Sequence, residues 1–456
     1  MPAPGQRTGV KSAAMAPSSP FARLRRLIYP GGEPGRGERL ERTALALLAG
    51  EGCAACRLAD ESSARWVGYF ISEGNAEPEV LDQVRASVGP CGRHARRLVA
   101  ARGGPEVLAA VSAELAREAG HRLDVRRPWA QCPACAREAW AEGYVSDTLL
   151  RAQALPSVAE ELTRRQGVCL RHTLSALPRA AVRGAVSGPG LQLAALAESA
   201  LRAAEGEAAV ARVCGLDLDA RARADGLRGA ALPDRSRPVR AWLLAVLEQD
   251  ACPSCAAERE AERHVLEWTA TATGLEPWEL RFCAPHLSTL HALDALTGRR
   301  IALAAAGEWA SALRRFAETA ARADARGRLA GLVGRGEPEE ALENLLGNRG
   351  CRACDVARTA GARMNALVAA AVGERGVADV YARAHGLCLR HVEALPPSGR
   401  AAPVLATLRA RIATTGWELD EAIRKRSWFA RWESTGQEAS AWRRLPGFVD
   451  GVDRVI

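Results

Sequence analysis

The fold is decided by residues 132–172, which begin with Cys132-Pro133-Ala134-Cys135 and end with Cys169-Leu170-Arg171-His172. A Cys-x2-Cys pair is thus followed, after an intervening stretch, by a Cys-x2-His pair, and this arrangement occurs four times in the chain. The pairs use all but one of the 13 cysteines. Three thiolates and one imidazole are the ligands of a closed tetrahedral zinc site, so the pattern predicts four structural Cys3His centres.

Spacing predicts how the pairs are grouped. From the second cysteine to the third, the intervening stretches are 34, 33, 27 and 33 residues, each long enough for a helix and its loops. Within a pair, residues i and i+3 on a first helical turn share one face and can share one ion. Grouping the pairs in chain order predicts four zinc ions with these ligands: Cys53, Cys56, Cys91 and His94; Cys132, Cys135, Cys169 and His172; Cys252, Cys255, Cys283 and His286; Cys351, Cys354, Cys388 and His391.

Composition predicts an all-α protein. Ala and Leu dominate the apolar residues and strand patterns are nearly absent, which favours tandem helical units, each clipped by a Cys3His site and arranged as two halves. The predicted divisions are a disordered basic leader (1–37), helical units 1 and 2 (38–125 and 126–214), a linker (215–237), helical units 3 and 4 (238–335 and 336–425) and a Trp/Arg-rich C-terminal tail (426–456).

The lack of an apolar targeting segment, together with the cysteine usage, predicts a cytoplasmic protein. No apolar signal sequence and no run of eighteen apolar residues is present, so we expect no transmembrane segment and reduced thiols that favour metal over disulfides.

The net charge of +9 comes almost entirely from arginine, because Lys11 and Lys425 are the only lysines. Spread over 456 residues this excess is a weak indication of nucleic-acid binding.

Three further groups of residues carry predictions. Large apolar side chains at helical spacing are expected to fill the core beside the metals: Trp66, Tyr69, Phe70, Trp140, Tyr144, Leu149, Trp268 and Leu367. Arginines within two residues of a ligand are candidates to balance the negative charge of the sites: Arg57, Arg93, Arg137, Arg171, Arg352 and Arg390. The tail mixes cations and indoles around Trp428 and Trp432, which suits either docking on a partner or covering the chain's own core.

The cysteines could also serve iron–sulfur or thiol redox chemistry in place of zinc binding. Three cysteines and a histidine can also hold an iron–sulfur cluster, which would make the chain an electron-transfer subunit of a larger oxidoreductase. Thiol redox catalysis at Cys132-Pro133-Ala134-Cys135 is disfavoured because no βαβ pattern surrounds the pair. No nucleotide-binding loop, nucleophile elbow or paired-histidine helix motif is present, so we assign no catalytic residue.

The Cys-Pro-x-Cys pairs, followed after a helix by Cys-x-Arg-His or Cys-Leu-Arg-His, resemble a bacterial family of helical proteins classed as a domain of unknown function. The resemblance rests on the ligand pairs and their flanks and implies an all-α metal-binding fold, with no implication for a reaction. Gly92, Pro285 and the shorter third unit depart from the pattern. The expected function is a multi-site zinc protein that serves as a scaffold or interaction module for a protein partner, with iron–sulfur electron transfer and nucleic-acid binding as the alternatives.

Overall fold

The computed structural model describes residues 35–125, 130–165, 167–182, 186–228, 232–234, 236–272, 281–325, 337–347, 350–396 and 402–450. Within these ranges the protein is all-α, as predicted, and contains no strand. The α-helices are α1 (Arg36–Leu48), α2 (Ala54–Ser72), α3 (Pro78–Ala86), α4 (Gly92–Ala100), α5 (Gly104–Val125), α6 (Pro133–Ala152), α7 (Pro156–Arg164), α8 (Leu170–Val182), α9 (Leu191–Arg202), α10 (Gly206–Cys214), α11 (Ala220–Arg228), α12 (Val239–Leu247), α13 (Pro253–Thr271), α14 (Ala284–Leu293), α15 (Ala295–Ala325), α16 (Glu337–Gly347), α17 (Arg352–Ala371), α18 (Arg375–Arg383), α19 (Leu389–Glu393), α20 (Ala402–Lys425) and α21 (Ala441–Asp450).

Each Cys-x2-Cys pair begins a long helix. Helices α2 and α6 have 19 and 20 residues, and each is followed by a helix of 9 residues before the next Cys-x2-His pair. Helices α17 and α18 repeat this arrangement with 20 and 9 residues. At the rise of an α-helix, the long helix carries the chain about 28–30 Å, whereas the short one spans about 13 Å. A short helix running back therefore leaves the chain well away from the pair at which it started.

The two long helices of the first half pack antiparallel. Ala54 and Ala55 at the start of α2 share an apolar cluster with Leu149 near the end of α6. Phe70 near the end of α2 shares another cluster with Ala134 at the start of α6. Each end of the helix pair therefore combines the start of one long helix with the end of the other.

Helices α13 and α17 form the equivalent antiparallel pair in the second half. Ala257 at the start of α13 shares a cluster with Val368 near the end of α17. Leu266 near the end of α13 shares a different cluster with Ala353 at the start of α17. The two halves thus use the same packing of long helices.

A shared apolar core joins the halves. It includes Phe70 and Leu98 from the first half, Tyr381 from the second, and Ile412 and Phe448 near the C-terminus. Helix α20 packs along α5, and α21 packs against both of them. In the part of the chain that the structure describes, no helix is long and apolar enough to cross a membrane.

Of the predicted core aromatic residues, Tyr69 is half-buried and the others fall into two classes. Trp66 and Phe70 are buried and stack with ring centroids 5.1 Å apart, as expected. Trp140, Tyr144 and Trp268 are 62%, 40% and 43% exposed, so the prediction that they lie in the core is wrong. Trp140 and Tyr144 instead stack on each other at the surface of α6. Their four-residue spacing fits a helix face equally well when that face is turned to solvent.

The predicted linker and the predicted tail both contain helices, and most of the predicted leader lies outside the described residues. Residues 1–34 of the predicted leader lie outside the described residues, and α1 begins at Arg36. The predicted linker contains α11, which buries Ala224 and Leu227. In the tail, α21 buries Trp442 in the shared core, whereas Trp428 and Trp432 are exposed.

Candidate metal centres

The structure collects the sixteen predicted ligand residues into four groups of three cysteines and one histidine, with all ligand atoms of a group within 4.8 Å of one another. The membership of the groups differs from the prediction. Each group joins the Cys-x2-Cys pair of one unit to the Cys-x2-His pair of the other unit in the same half. The groups are site 1 (Cys53, Cys56, Cys169 and His172), site 2 (Cys91, His94, Cys132 and Cys135), site 3 (Cys252, Cys255, Cys388 and His391) and site 4 (Cys283, His286, Cys351 and Cys354).

The grouping of pairs in chain order is therefore wrong for all four predicted quartets, and helix geometry supplies the reason. From Cys56 the chain runs along α2 and returns along the much shorter α3, so Cys91 and His94 fall short of site 1. Helix α6 runs antiparallel to α2, so the start of α6 lies close to the end of α3. Cys132 and Cys135 therefore lie beside Cys91 and His94. The same exchange takes place between α13 and α17.

The distances between ligand atoms match a tetrahedron around one ion. Zinc bonds of about 2.3 Å to sulfur and about 2.0–2.1 Å to nitrogen place tetrahedral ligands about 3.8 Å apart for two sulfurs and about 3.5 Å apart for sulfur and nitrogen. The Sγ–Sγ distance is 3.6 Å for Cys91–Cys135 and 3.8 Å for Cys56–Cys169. Histidine Nδ1 lies between 3.0 Å from sulfur, at Cys283, and 3.6 Å, at Cys132. All 13 cysteines are free of disulfide bonds.

Every ligand pair stands at the beginning of a helix. Cys53, Cys132, Cys252 and Cys351 immediately precede the long helices, and the second ligand of each pair lies on the first turn, as predicted. The Cys-x2-His pairs begin α4, α8, α14 and α19 in the same way. Each site thus receives two helix N-termini, whose partial positive charge stabilises thiolates.

The sulfurs of one site cannot all ionise without a cation. At site 4, the hydrogen bond with Cys283 lowers the pKa of Cys351 to about 3, and the same contact raises the pKa of Cys283 well above its ordinary value. Burial lowers the pKa of His286, but contacts with Cys351 and Glu262 outweigh it and raise the pKa to about 9. These pKa shifts favour one thiolate beside an imidazolium over several thiolates at the same site. A divalent ion that displaces the protons supplies the charge that three thiolates require.

Each histidine directs its other ring nitrogen at a glutamate. The Nε2 to carboxylate distance is 3.1 Å for both His94–Glu138 and His172–Glu142. The corresponding distances are 3.0 Å for His286–Glu262 and 3.2 Å for His391–Glu258. A carboxylate at this position fixes the ring orientation and leaves Nδ1 free to bind a metal.

At two sites an arginine contacts both the glutamate and a cysteine sulfur. Arg93 and Arg390, placed between the cysteine and histidine of their pairs, donate to Glu138 and Glu258. Their Nη2 atoms also lie 3.9 Å from the sulfurs of Cys135 and Cys255. Burial raises the pKa of Glu138, but hydrogen bonds from His94 and Arg93 outweigh it and hold the pKa at about 2, so this carboxylate stays charged at neutral pH.

The other predicted arginines differ in their contacts. Arg171 donates to Glu142 at 2.7 Å and so joins the site 1 histidine. Arg57 donates instead to the backbone carbonyls of Leu47 and Glu51. Arg352 lies over the ring of Trp268, 4.8 Å from its centroid. The expected balance of site charge by arginine therefore applies to Arg93, Arg171 and Arg390, and it does not apply to Arg57 or Arg352.

The four glutamates were missed in the sequence, although a signal was present. In both Cys-Pro-x-Cys helices, glutamates stand three and seven residues after the second cysteine, as Glu138 and Glu142 and as Glu258 and Glu262. Residues i and i+4 lie one turn apart on one face. One helix thus supports the histidines of both sites in its half, and the repeated spacing could have identified these residues.

Gly215 and Leu216, the first two residues of the predicted linker, cover site 1, and no sequence pattern had identified them. The backbone N–H of Leu216 donates to the Cys56 sulfur at 3.3 Å. Gly215 ends α10 with φ +76°, and a Cβ atom there would lie 2.5 Å from the Cys56 sulfur and 2.9 Å from the Cys169 sulfur. Glycine is therefore required at this position both by the backbone conformation and by the approach to the sulfurs.

The glutamates provide a test of this arrangement. Glu138→Gln is expected to weaken metal binding at site 2 by about 10–100-fold, because a neutral amide no longer orients and polarises His94. Glu142→Gln, one turn further along α6, is the matched control and should act on site 1 instead. Competition with a chromophoric chelator, followed by mapping of the alkylated cysteines, measures both effects. If the two variants released the same cysteines, the assignment of glutamates to sites would be wrong.

Comparison with known proteins adds no relative. Searches against protein-family models, curated proteins and solved structures found no match for this chain.

Proposed function

We propose that the protein binds four zinc ions, one in each Cys3His site, and that the ions serve a structural role. The tetrahedral spacing of the ligand atoms carries this proposal, because three thiolates and one imidazole at these distances suit zinc and leave no open coordination position. Each ion would tie the starts of two helices from different units. Such a tie contributes directly to folding, since the ligands are scattered in the unfolded chain.

The iron–sulfur alternative fits the spacing less well. Each iron of a 2Fe–2S cluster takes two protein ligands and each iron of a 4Fe–4S cluster takes one, so the four ligands of a cluster cannot all lie as close together as four ligands that share one ion. At each of the four sites all four ligand atoms lie within 4.8 Å of one another, which leaves room for one ion and is short for a cluster. A mononuclear site is therefore favoured.

Metal analysis of anaerobically purified protein tests the proposal. We expect four zinc ions per chain, no visible absorption, and cobalt substitution that produces the spectrum of a tetrahedral thiolate site. Lowering the pH should release the metal, because protons compete for the thiolates and the imidazole, and the stabilisation that metal provides should therefore rise with pH. Iron with accompanying visible absorption would replace this proposal by the electron-transfer alternative.

We further propose that the protein is an interaction module for a protein partner, based on the exposed segment 426–434. Trp428, Phe429 and Trp432 are 67%, 93% and 77% exposed. The guanidinium of Arg431 lies 3.4 Å from the centroid of Trp428 and 4.4 Å from that of Trp432. Aromatic residues and arginine are the residue types that dominate protein interfaces.

The nucleic-acid alternative has weaker electrostatic support at this segment. Arg424 pairs with Glu421 and Glu433, and Lys425 pairs with Glu438 at 2.8 Å. These two cations beside the segment are already paired with carboxylates, which weakens their attraction for phosphates.

Photo-crosslinking from position 429 in the host cell distinguishes the two partners. A discrete protein adduct is expected, and it should be lost when Trp428 and Trp432 are both replaced by Ala. Replacing the exposed Trp140 by Ala is the matched control and should leave the adduct unchanged. Adducts with nucleic acid, together with salt-sensitive binding to a single-stranded oligonucleotide, would support the alternative.

A further inference from the structure

A cavity of about 420 Å³ lies among α8, α14, α15 and α16. Its volume falls within the range of pockets that hold small molecules. Leu170 and Leu174 line one side, and Phe282 and Leu287 line another. The cavity borders two of the metal groups, because Cys283 of site 4 forms part of its wall and the lining residues Leu170 and Arg171 lie between Cys169 and His172 of site 1.

The longest wall of the cavity is one face of α15. Ile301, Trp309 and Phe316 line it at helical spacing, with Ala305 and Ala312 between them. From Ile301 to Thr319, the lining residues extend along about 27 Å of the helix. The small side chains leave room between the large ones along this face. An extended hydrocarbon chain could lie along it.

A cation stands toward the C-terminal end of this wall. Arg315 lines the cavity, and it makes no ion pair or hydrogen bond with any other residue that the structure describes. The adjacent Arg314 differs, because it pairs with Glu198 at 3.2 Å and is absent from the lining. Thr319, one turn beyond Arg315, adds a hydroxyl to the lining. The other charged side chains of the lining are already paired, Arg281 with Glu308 at 3.0 Å and Arg171 with Glu142 at 2.7 Å. Arg315 is therefore the lining cation that suits a ligand with an anionic head group.

We propose that this cavity binds a single-chain amphipathic carboxylate, such as a free fatty acid. The hydrocarbon chain would lie along the Ile301–Phe316 face of α15, and the carboxylate would accept hydrogen bonds from the guanidinium of Arg315. The proposal depends on the cavity and its arginine and is independent of which metal the four sites hold.

Calorimetric titration of the full-length metal-loaded protein with hexadecanoate, below its micellar concentration, tests the proposal. One saturable site per chain is expected. Ala312→Trp fills the cavity and should abolish binding, with thermal unfolding used to check that this variant folds. Arg315→Gln changes an exposed residue and should weaken hexadecanoate binding by about tenfold or more, as expected for a lost charge-assisted hydrogen bond.

Two controls isolate the role of Arg315. Hexadecanol, which has the same chain and no charge, should bind the Arg315→Gln variant and the unchanged protein equally well. Arg314→Gln should leave hexadecanoate binding unaltered. The proposal is overturned if hexadecanoate does not saturate one site, if Ala312→Trp folds and still binds, or if binding requires lipid vesicles, which would indicate a membrane surface as the source of the ligand.

Discussion

Replacing Cys388 with Ala is expected to release one of four metal ions and to expose Cys252 and Cys255 to alkylation, while Cys351 and Cys354 remain protected. Cys388 shares site 3 with Cys252 and Cys255, and its sulfur lies 3.8 Å from that of Cys255. A grouping in chain order predicts the opposite labelling. Metal analysis and mass spectrometry of native protein treated with iodoacetamide measure the outcome.

The loss of stability in this variant should be large. A structural zinc ion contributes about 10–16 kcal/mol of apparent binding free energy in zinc-finger peptides, comparable to the stability of a whole domain. Site 3 ties α13 to α19, so unfolding should involve both predicted units of the second half. Cys351→Ala is the matched variant at site 4 and should expose Cys283 and Cys354 instead. Labelling of Cys351 and Cys354 in the Cys388 variant would contradict the structure.

Gly215→Ala is expected to abolish metal binding at site 1 and leave the other three sites intact. The added methyl group would meet the sulfurs of Cys56 and Cys169 at 2.5 and 2.9 Å, and an ion bound at site 1, as proposed, would prevent those sulfurs from moving aside. With φ +76° and ψ −163°, the backbone of Gly215 lies in a region that is essentially restricted to glycine, which adds a cost of about 1–3 kcal/mol for a residue with a Cβ atom. Metal content and alkylation of Cys53 and Cys169 report the effect.

Gly206→Ala is the matched control for this experiment. Gly206 also has a left-handed conformation, with φ +50°, but a Cβ atom there would have no neighbour within 4 Å. Its substitution should therefore cost only the backbone strain and leave all four ions bound. Equal metal loss in the two variants would show that backbone conformation, and not the approach to the sulfurs, controls site 1.

The exposed aromatic residues show that helical spacing does not predict which face of a helix is buried. Trp66 and Trp140 each precede another aromatic residue by four positions on a long helix, yet Trp66 is buried and Trp140 is 62% exposed. Helical spacing identifies residues that share a face but does not say which face meets a neighbouring helix. That choice depends on the antiparallel packing of α2 against α6, which involves residues far apart in the chain.

The sequence by itself determined the local features of this protein. Ala- and Leu-rich composition predicted the helices, and the spacing within each Cys-x2-Cys and Cys-x2-His pair placed two ligands on a first helical turn. These features depend on residues three or four positions apart, so they can be read without knowledge of the rest of the fold.

Tertiary structure alone decided which pairs meet. Cys56 lies with Cys169 and not with Cys91, because the short return helix ends well before the chain reaches its own starting pair and leaves Cys91 beside the starting pair of the neighbouring unit. The closure of site 1 by Gly215 likewise joins residues more than a hundred positions apart in the first half of the chain. Such contacts are set by helix lengths and packing directions together, and no local pattern contains that information.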